Sequence, residues 1–273
     1  MLEYILLLLV GLLAGTIGSL VGLGGGIIIV PLLIGLGTLG TLHSVSPQIA
    51  VGTSMITVVF SGLSSTLTYM KHKRVDYKSG LILFIGSGPG GIIGSWANKF
   101  FNGPSFSLYF GIFLIFVSLL LIVKNKFRPL PFSRNNAIIR SFTTPDGTTT
   151  EYGFHPVLAV VISFVVGLIS GLFGIGGGVL LVPAMVILFS FPAHIAVATS
   201  MFIVFLSASV SSITHISLGH VNWLYTLILI PGAWIGGKIG AFINTKISGN
   251  MVINLLRITL IIIGIRMIIS SLF

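Results

Sequence analysis

Long apolar segments alternate with short polar connectors along nearly the whole chain. Eight such segments cover residues 4–36, 47–70, 79–98, 105–123, 155–190, 193–217, 222–246 and 250–273. Six of them have about the 20 residues that one helical crossing of a bilayer requires. The first and fifth are roughly 35 residues long, and a continuous helix of that length would measure about 50 Å against a hydrocarbon core of about 30 Å. We therefore expect these two segments to bend or break.

Two glycine-rich motifs mark the expected breaks. GLGGGIIIVP occupies residues 22–31, and GIGGGVLLVP begins 152 positions later and occupies residues 174–183. A further shared motif follows each of them, AVGTSM at 50–55 and AVATSM at 196–201, and these two copies are 146 positions apart. This self-similarity indicates two copies of one structural unit, joined by a connecting loop.

The pattern predicts an all-α polytopic membrane protein of two homologous halves, each with a glycine-broken first segment. Residues 1–123 form the first transmembrane repeat, residues 124–154 a cytoplasmic linker loop, and residues 155–273 the second transmembrane repeat. The orientation follows from basic residues at 71–74 and 124–128, which lie on one side because two crossings separate them. An excess of Lys and Arg favours the cytoplasmic side.

The loop charges also predict that the two halves are inverted relative to each other. The connector at 217–221, which corresponds to the basic connector of the first half, carries only His220. The positive charges of the second half lie instead at Lys238 and Lys246, around the next connector. Equivalent loops thus have opposite charge bias, and this favours an inverted repeat if the first and fifth segments return to the side from which they enter.

Composition narrows the class of protein. Hydrophobic residues make up 55% of the 273 residues and charged residues 7%, and the mean hydropathy of +1.13 excludes a soluble globular domain. The lipid bilayer is therefore the surrounding medium, and we expect a multi-pass protein of the plasma membrane. The net charge of +10 does not indicate a nucleic acid partner, because the basic residues cluster beside apolar spans. With no cysteine and no metal-binding histidine spacing, neither a metal site nor a cofactor is expected.

The paired glycine-rich breaks are the leading candidates for a substrate site. Consecutive glycines permit positive φ angles and leave backbone N–H groups free to face a ligand. The apolar run after each break would be a half-helix whose N-terminus attracts an anion. The candidate glycines are Gly24, Gly25, Gly26, Gly176, Gly177 and Gly178. The alternative is that these glycines only allow close packing of helices.

Polar side chains within the spans supply further candidates. Thr53 with Ser54, and Thr199 with Ser200, offer hydroxyl donors to an anion without the cost of a buried charge. Hydroxyls of this kind can instead bond to carbonyls of their own or a neighbouring helix. Lys238 is a charged candidate in segment seven and Arg257 in segment eight, although each lies near enough to a span end to extend toward the interface.

The positions of the acidic residues favour an anionic substrate. All four, Glu3, Asp76, Asp146 and Glu151, lie at the N-terminus or in loops. A proton relay or cation site built on buried carboxylates is therefore not expected. An inside-negative potential also favours outward movement of an anion, by about 2.3 kcal/mol per charge per 100 mV.

The doubled GxGGGxxxVP-like motif, each copy followed by AxxTS, resembles the sulfite exporter TauE/SafE family, also called TSUP. The resemblance covers nearly the whole chain. It implies a transporter of small sulfur-containing anions, such as sulfite and sulfonates including sulfoacetate. It carries substrate-binding roles to the glycines, threonines and serines named above, and a structural role to Pro31 and Pro183. Ala198 stands where the first half has Gly52, so the two sites are not fully equivalent.

We therefore expect a secondary transporter that exports a small sulfur-containing anion, with the two broken segments meeting near the bilayer midplane and alternating access by rocking of the halves. A passive anion channel and uptake of another small organic anion are the alternatives. An intramembrane enzyme is a remote one, because no recognisable nucleophile and base are present. The sequence leaves a homo-oligomer open.

Overall fold

A computed structural model describes residues 2–38, 45–100, 103–122, 137–143 and 149–272. Ten α-helices lie within these ranges: α1 Leu2–Val21, α2 Gly26–Thr38, α3 Pro47–Lys71, α4 Tyr77–Ala97, α5 Gly103–Ile122, α6 Pro156–Phe173, α7 Gly178–Ile187, α8 Ala193–Ser217, α9 Trp223–Asn244 and α10 Gly249–Leu272. A two-stranded antiparallel sheet joins β1, Ile138–Thr143, to β2, Thr149–Phe154. The basic cluster at 124–128 and Asp146 lie outside the described residues.

The helices reproduce the predicted segments. Seven of them, α1, α3, α4, α6, α8, α9 and α10, are long and apolar enough to cross a membrane. The half-helices α2 and α7 are shorter and apolar, as is the described part of α5. Each predicted segment corresponds to one helix, except that the first and the fifth each correspond to two. The prediction of an all-α polytopic architecture is therefore confirmed.

Both long segments break at the glycine triplets, as predicted. Three glycines in each break have positive φ angles: Gly22 at 84°, Gly24 at 84°, Gly25 at 96°, Gly174 at 76°, Gly176 at 74° and Gly177 at 83°. A side chain with a Cβ rarely adopts this left-handed conformation, whereas glycine does so at little cost. The triplets thus end one helix and start the next within four residues.

Glycine-lined seams join helices of different halves. Along the α1–α9 seam, a Cβ on Gly240 would lie 2.0 Å from the Thr16 carbonyl oxygen. Along the α4–α6 seam, a Cβ on Gly94 would lie 1.9 Å from the Leu168 carbonyl oxygen. Such distances mean that the backbones themselves are in contact, as small residues permit in membrane bundles. The first helix of each half is thereby packed against the third span of the other half.

Two other contacts join equivalent helices of the two halves, and in both the helices are antiparallel. In the α3–α8 pair, Thr53 lies beside the connector that follows α8, while Thr199 lies beside the connector that follows α3. In the α5–α10 pair, Gly111 lies beside Gly264 and Leu121 beside Arg257. The orientation of the halves in the bilayer stays a prediction.

The linker between the halves contains structure that we did not expect from the sequence. Residues 138–154, assigned to a loop, include the β1–β2 hairpin. The Tyr152 and Phe154 rings are buried on it and pack against Phe191 and Phe189, the latter next to the end of α7. The Tyr152 hydroxyl donates to Asp76 Oδ2 at 3.1 Å. Burial and the negative charge of Asp76 raise the pKa of Tyr152, so the phenol stays protonated. The hairpin therefore anchors the linker to the start of α4.

The seams predict that a single methyl group will destabilise the fold. Replacing Gly94 or Gly240 with alanine places a Cβ about 2 Å from a backbone oxygen, and we expect a loss of about 1–3 kcal/mol in the free energy of unfolding because backbone must shift. Thermal unfolding in detergent measures this loss. Gly88→Ala is the control, because the atoms nearest to its Cβ would belong to the Phe84 side chain, at 3.0 Å, and not to backbone. Equal stability of Gly94→Ala and Gly88→Ala would contradict the proposed seam.

Candidate functional site

The two glycine breaks touch each other at the centre of the bundle. A Cβ on Gly26 would lie 2.1 Å from the Gly174 carbonyl oxygen, and one on Gly178 would lie 1.9 Å from the Gly22 carbonyl oxygen. Residues 21–31 and 170–179 are buried throughout. Val58 and Val204, near the middle of α3 and α8, flank both breaks. The broken segments therefore meet, as expected from the sequence.

Each break is held by a serine from the other half. Ser54 Oγ on α3 donates to the Gly174 carbonyl oxygen at 3.1 Å. Ser200 Oγ on α8 donates to the Gly22 carbonyl oxygen at 2.9 Å. Both serines are fully buried, so these bonds replace hydration that the carbonyls cannot obtain from water. The structure thus brings the predicted serines and glycines together, with the serine hydroxyl hydrogens directed at backbone oxygens.

Two more side chains bind carbonyls at the end of α1. The Tyr69 hydroxyl donates to the Ser19 carbonyl oxygen at 2.7 Å. Asn244 Nδ2 donates to the Leu20 carbonyl oxygen at 2.6 Å. The last carbonyls of a helix have no partner within it, and here side chains from α3 and α9 supply the donors.

The end of α6 has the same arrangement. Asn98 Nδ2 donates to the Leu172 carbonyl oxygen at 2.7 Å. His215 Nε2 lies 3.3 Å from the Gly171 carbonyl oxygen. Asn98 corresponds to Asn244, and His215 to Tyr69, at the 146-residue offset of the second shared motif. All four residues were absent from the predicted site, although extending the repeat alignment to span ends would have paired the two asparagines.

Backbone N–H groups at the breaks have fewer partners than the carbonyls. In the first break the Leu23 and Gly24 amides donate to the Gly18 carbonyl oxygen, at 2.6 and 3.3 Å. Within the described part of the chain, the N–H groups of Gly25, Gly26 and Ile27 have no acceptor. Occupied carbonyls and free amides together give this break a net donor character, with the partial positive charge of the α2 N-terminus.

The second break repeats this imbalance. The Gly174 and Ile175 amides donate to the Ser170 carbonyl oxygen, at 2.9 and 3.3 Å. Among the described residues, the N–H groups at positions 176–180 have no acceptor. The sequence prediction that the triplets leave free N–H groups is therefore confirmed for both breaks, and what binds them stays a prediction.

The two predicted threonines contact helix starts. Thr53 Oγ1 accepts a hydrogen bond from the Asn222 amide at 3.0 Å, at the start of α9. Thr199 Oγ1 accepts one from the Asp76 amide at 3.0 Å, at the start of α4. Each Thr-Ser pair therefore contacts a break and the N-terminus of a helix, and both of these belong to the other half.

The two predicted basic residues lie away from the breaks. Lys238 is exposed on α9, on the face opposite the buried glycine seam. Arg257 on α10 donates through Nη2 to the Leu121 carbonyl oxygen near the end of α5, and through Nη1 to Asn254 Oδ1 at 3.3 Å. A cation at a helix C-terminus stabilises the helix dipole, so the contacts of Arg257 are those of a helix cap.

The two predicted structural prolines are buried within the half-helices. Pro31 lies in α2 and Pro183 in α7. Because proline has no N–H, it cannot donate to the carbonyl four residues earlier, at Ile27 and Val179 respectively. This loosens the helix just beyond each break.

The geometry is that of a helical membrane transporter, in which broken helices meet inside the bundle. A family model described as "Sulfite exporter TauE/SafE" matches residues 7–267. The chain is 53% identical to the "Probable membrane transporter protein YunE" of Bacillus subtilis (strain 168), over 99% of both chains. It is 28% identical to the "Probable membrane transporter protein MJ0441" of Methanocaldococcus jannaschii, over 89% of this chain and 87% of the relative.

An Arabidopsis thaliana protein named "Sulfite exporter TauE/SafE family protein 6" is 33% identical over 40% of this chain and 25% of its own length. No solved structure matches. The chain belongs to the sulfite exporter TauE/SafE family, as its motifs indicated. It is a multi-pass membrane transporter of the plasma membrane.

The serine contacts predict a loss of stability on removal of one hydroxyl. Ser54→Ala or Ser200→Ala leaves a buried break carbonyl without a donor, and we expect the free energy of unfolding to fall by about 1–3 kcal/mol. Chemical or thermal unfolding in detergent measures the loss. Ser217→Ala on α8 is the control, because that exposed hydroxyl bonds only to the Thr214 carbonyl oxygen of its own helix. Wild-type stability of both break variants would show that these bonds do not hold the breaks.

Proposed function

We propose that the chain is a secondary transporter that moves a small sulfur-containing anion, such as sulfite or a sulfonate of the sulfoacetate type, out of the cell. The observation that carries this proposal is the surplus of unpaired N–H donors at two breaks that touch each other. Backbone amides at helix N-termini bind oxyanions without a charged side chain. The amides at Gly25, Gly26, Gly177 and Gly178 would replace the water around such an anion.

The hydroxyls beside the breaks complete this proposed site. Within the described residues, the Thr53 and Thr199 hydroxyls each accept one hydrogen bond and donate none, so their hydrogens can serve a ligand. Ser54 and Ser200 donate to the break carbonyls and thereby keep those oxygens from repelling an anion. In this arrangement the serines position the breaks and the threonines contribute donors.

The distribution of negative charge supports an anionic substrate. Asp76 is the acidic residue in the connector between α3 and α4, and its carboxylate accepts hydrogen bonds from Ser79 and Tyr152. Glu3 lies in the first turn of α1 and Glu151 in β2. No carboxylate of the described residues contacts the glycines of the breaks. The backbone amide of Asp76 binds Thr199, but the Asp76 carboxylate is already paired with Ser79 and Tyr152. Export follows from the membrane potential, which favours outward movement of negative charge.

Access to the proposed site requires the breaks to separate, because they are in contact and buried here. The seams suggest which parts move together: α1 with α9, and α4 with α6, since their backbones are in contact at several successive turns. These pairs combine helices of both halves. We propose that these two pairs, α1 with α9 and α4 with α6, rock against the antiparallel pair α3 and α8. The antiparallel direction of equivalent helices supports the inverted repeat on which alternating access of this kind depends.

We also propose that the protein moves its substrate without changing it chemically. A passive anion channel and a transporter that takes up another small organic anion are the alternatives. Accumulation of the anion against its gradient, when a second gradient is imposed, would favour a transporter because a channel can only dissipate a gradient.

A flux assay tests the site. Purified protein in liposomes with an imposed inside-negative potential should pass sulfite or sulfoacetate, and Gly25→Leu and Gly177→Leu should reduce flux at least about tenfold, because each side chain covers amides whose charge-assisted bonds are worth roughly 1.5–3 kcal/mol. Gly219→Leu is the matched control, since Gly219 also has a positive φ, 71°, but open space around it. Unchanged flux in both break variants would remove the breaks from the proposed site.

A further inference from the structure

A basic cavity opens at the end of α3, where it lies beside α9. Its volume is about 370 Å³, and its lining comprises Thr68, Lys71, His72, Lys238, Ile239 and Phe242. Three of these six side chains are basic, and no carboxylate is among them. This cavity is separate from the breaks, since none of the residues that line it belongs to a break.

The surface around the cavity is apolar and exposed. Ile235, Ile239 and Phe242 on the same helix have 53%, 42% and 48% of their surface exposed. Lys238 lies among them, six residues before the end of α9, which is roughly 9 Å along a helix. A lysine at that depth extends its amine toward the headgroup region of a bilayer. Lys71 and His72 lie at the end of α3 and are exposed.

The equivalent place in the other half has no charge. At the 146-residue offset, Lys71, His72 and Lys238 correspond to Ser217, Leu218 and Ile92. The corresponding helices of the repeat, α8 for α3 and α4 for α9, therefore carry no basic residue at these three positions. The architecture of the repeat does not itself require basic residues at this position. The positive-inside bias explains why they lie on one side of the membrane, and the cavity brings Lys71, His72 and Lys238 together.

We propose that this cavity binds the headgroup of an anionic phospholipid. The phosphodiester would contact the Lys71 and Lys238 amines, with His72 beside them, and the acyl chains would lie along Ile239 and Phe242. A lipid is favoured over a soluble anion because the cavity is continuous with the exposed apolar face of α9. Basic pockets between membrane helices recognise such headgroups.

Binding here would also brace a contact between the two halves. Arg74, three residues beyond Lys71, donates to the Thr245 carbonyl oxygen at 3.2 Å, just past the end of α9. A headgroup held by Lys71 and Lys238 spans the same two helices. The lipid would therefore stabilise the α3–α9 contact.

Native mass spectrometry of the full chain tests this proposal. Wild-type protein should retain phosphatidylglycerol in preference to phosphatidylcholine. The double variant Lys71→Gln with Lys238→Gln should bind phosphatidylglycerol about 25-fold more weakly, roughly fivefold for each lysine. The control is Lys78→Gln with Lys99→Gln, which removes the same charge from two exposed lysines outside the cavity.

Three outcomes would overturn the proposal: equal retention of the two lipids by the wild type, equal affinity of the two double variants, or displacement of the lipid by inorganic phosphate at millimolar concentration, which would indicate a soluble ligand. If the double variant does not fold, Lys238→Gln alone should still show the fivefold loss. A gain-of-binding variant, Ile92→Lys with Ser217→Lys, should retain one additional phosphatidylglycerol. Anion flux by the proposed mechanism is measured separately, so the failure of one proposal leaves the other standing.

Discussion

The structure depends on the requirement that backbone carbonyls at a broken helix find donors where no water is present. An unpaired carbonyl inside a bilayer costs several kcal/mol. At both breaks that cost is avoided by side chains: a serine and an asparagine from the other half, and Tyr69 or His215 from the same half. Among the described residues, the amides at positions 25–27 and 176–180 have no acceptor. Because the carbonyls are paired and several amides are not, the breaks keep an excess of hydrogen-bond donors, and the proposed anion site rests on this excess.

This requirement also explains why the halves interleave. Ser54 can reach Gly174, and Asn244 can reach Leu20, only if helices of one half lie against the broken helix of the other. The glycine seams provide that approach, because α1 and α9, like α4 and α6, come close enough for backbone contact. Neither half therefore contains a complete break with its donors. The same interleaving means that each pair of helices in backbone contact, α1 with α9 and α4 with α6, combines helices from both sequence repeats.

The two ends of the bundle differ although the centre is nearly symmetric. Near the breaks, corresponding residues of the two halves make equivalent contacts. These are Ser54 and Ser200, Asn98 and Asn244, and Thr53 and Thr199. Toward the ends the correspondence is lost: Lys71 corresponds to Ser217 in the repeat, and Lys238 corresponds to Ile92. The hairpin on the linker adds a further difference at the start of α4. Central positions are constrained by the breaks, whereas end positions meet whatever surrounds the protein, and this environment differs on the two sides of a membrane.

The sequence by itself determined the spans, the positions of both breaks, the repeat and the family, because hydropathy, segment length and the glycine triplets are properties of short stretches. It also placed the serines and threonines in the right helices. Only the tertiary structure decided where they bind: Asn98 and Leu172 are 74 residues apart, and Asn244 and Leu20 are 224 apart. It likewise directed Lys238 outward, used Arg257 to cap α5, and folded the hairpin in a segment expected to be a loop. An asparagine or a lysine in an apolar helix has the same local sequence signal whichever neighbour it meets, so its role is decided by the helices that pack against it.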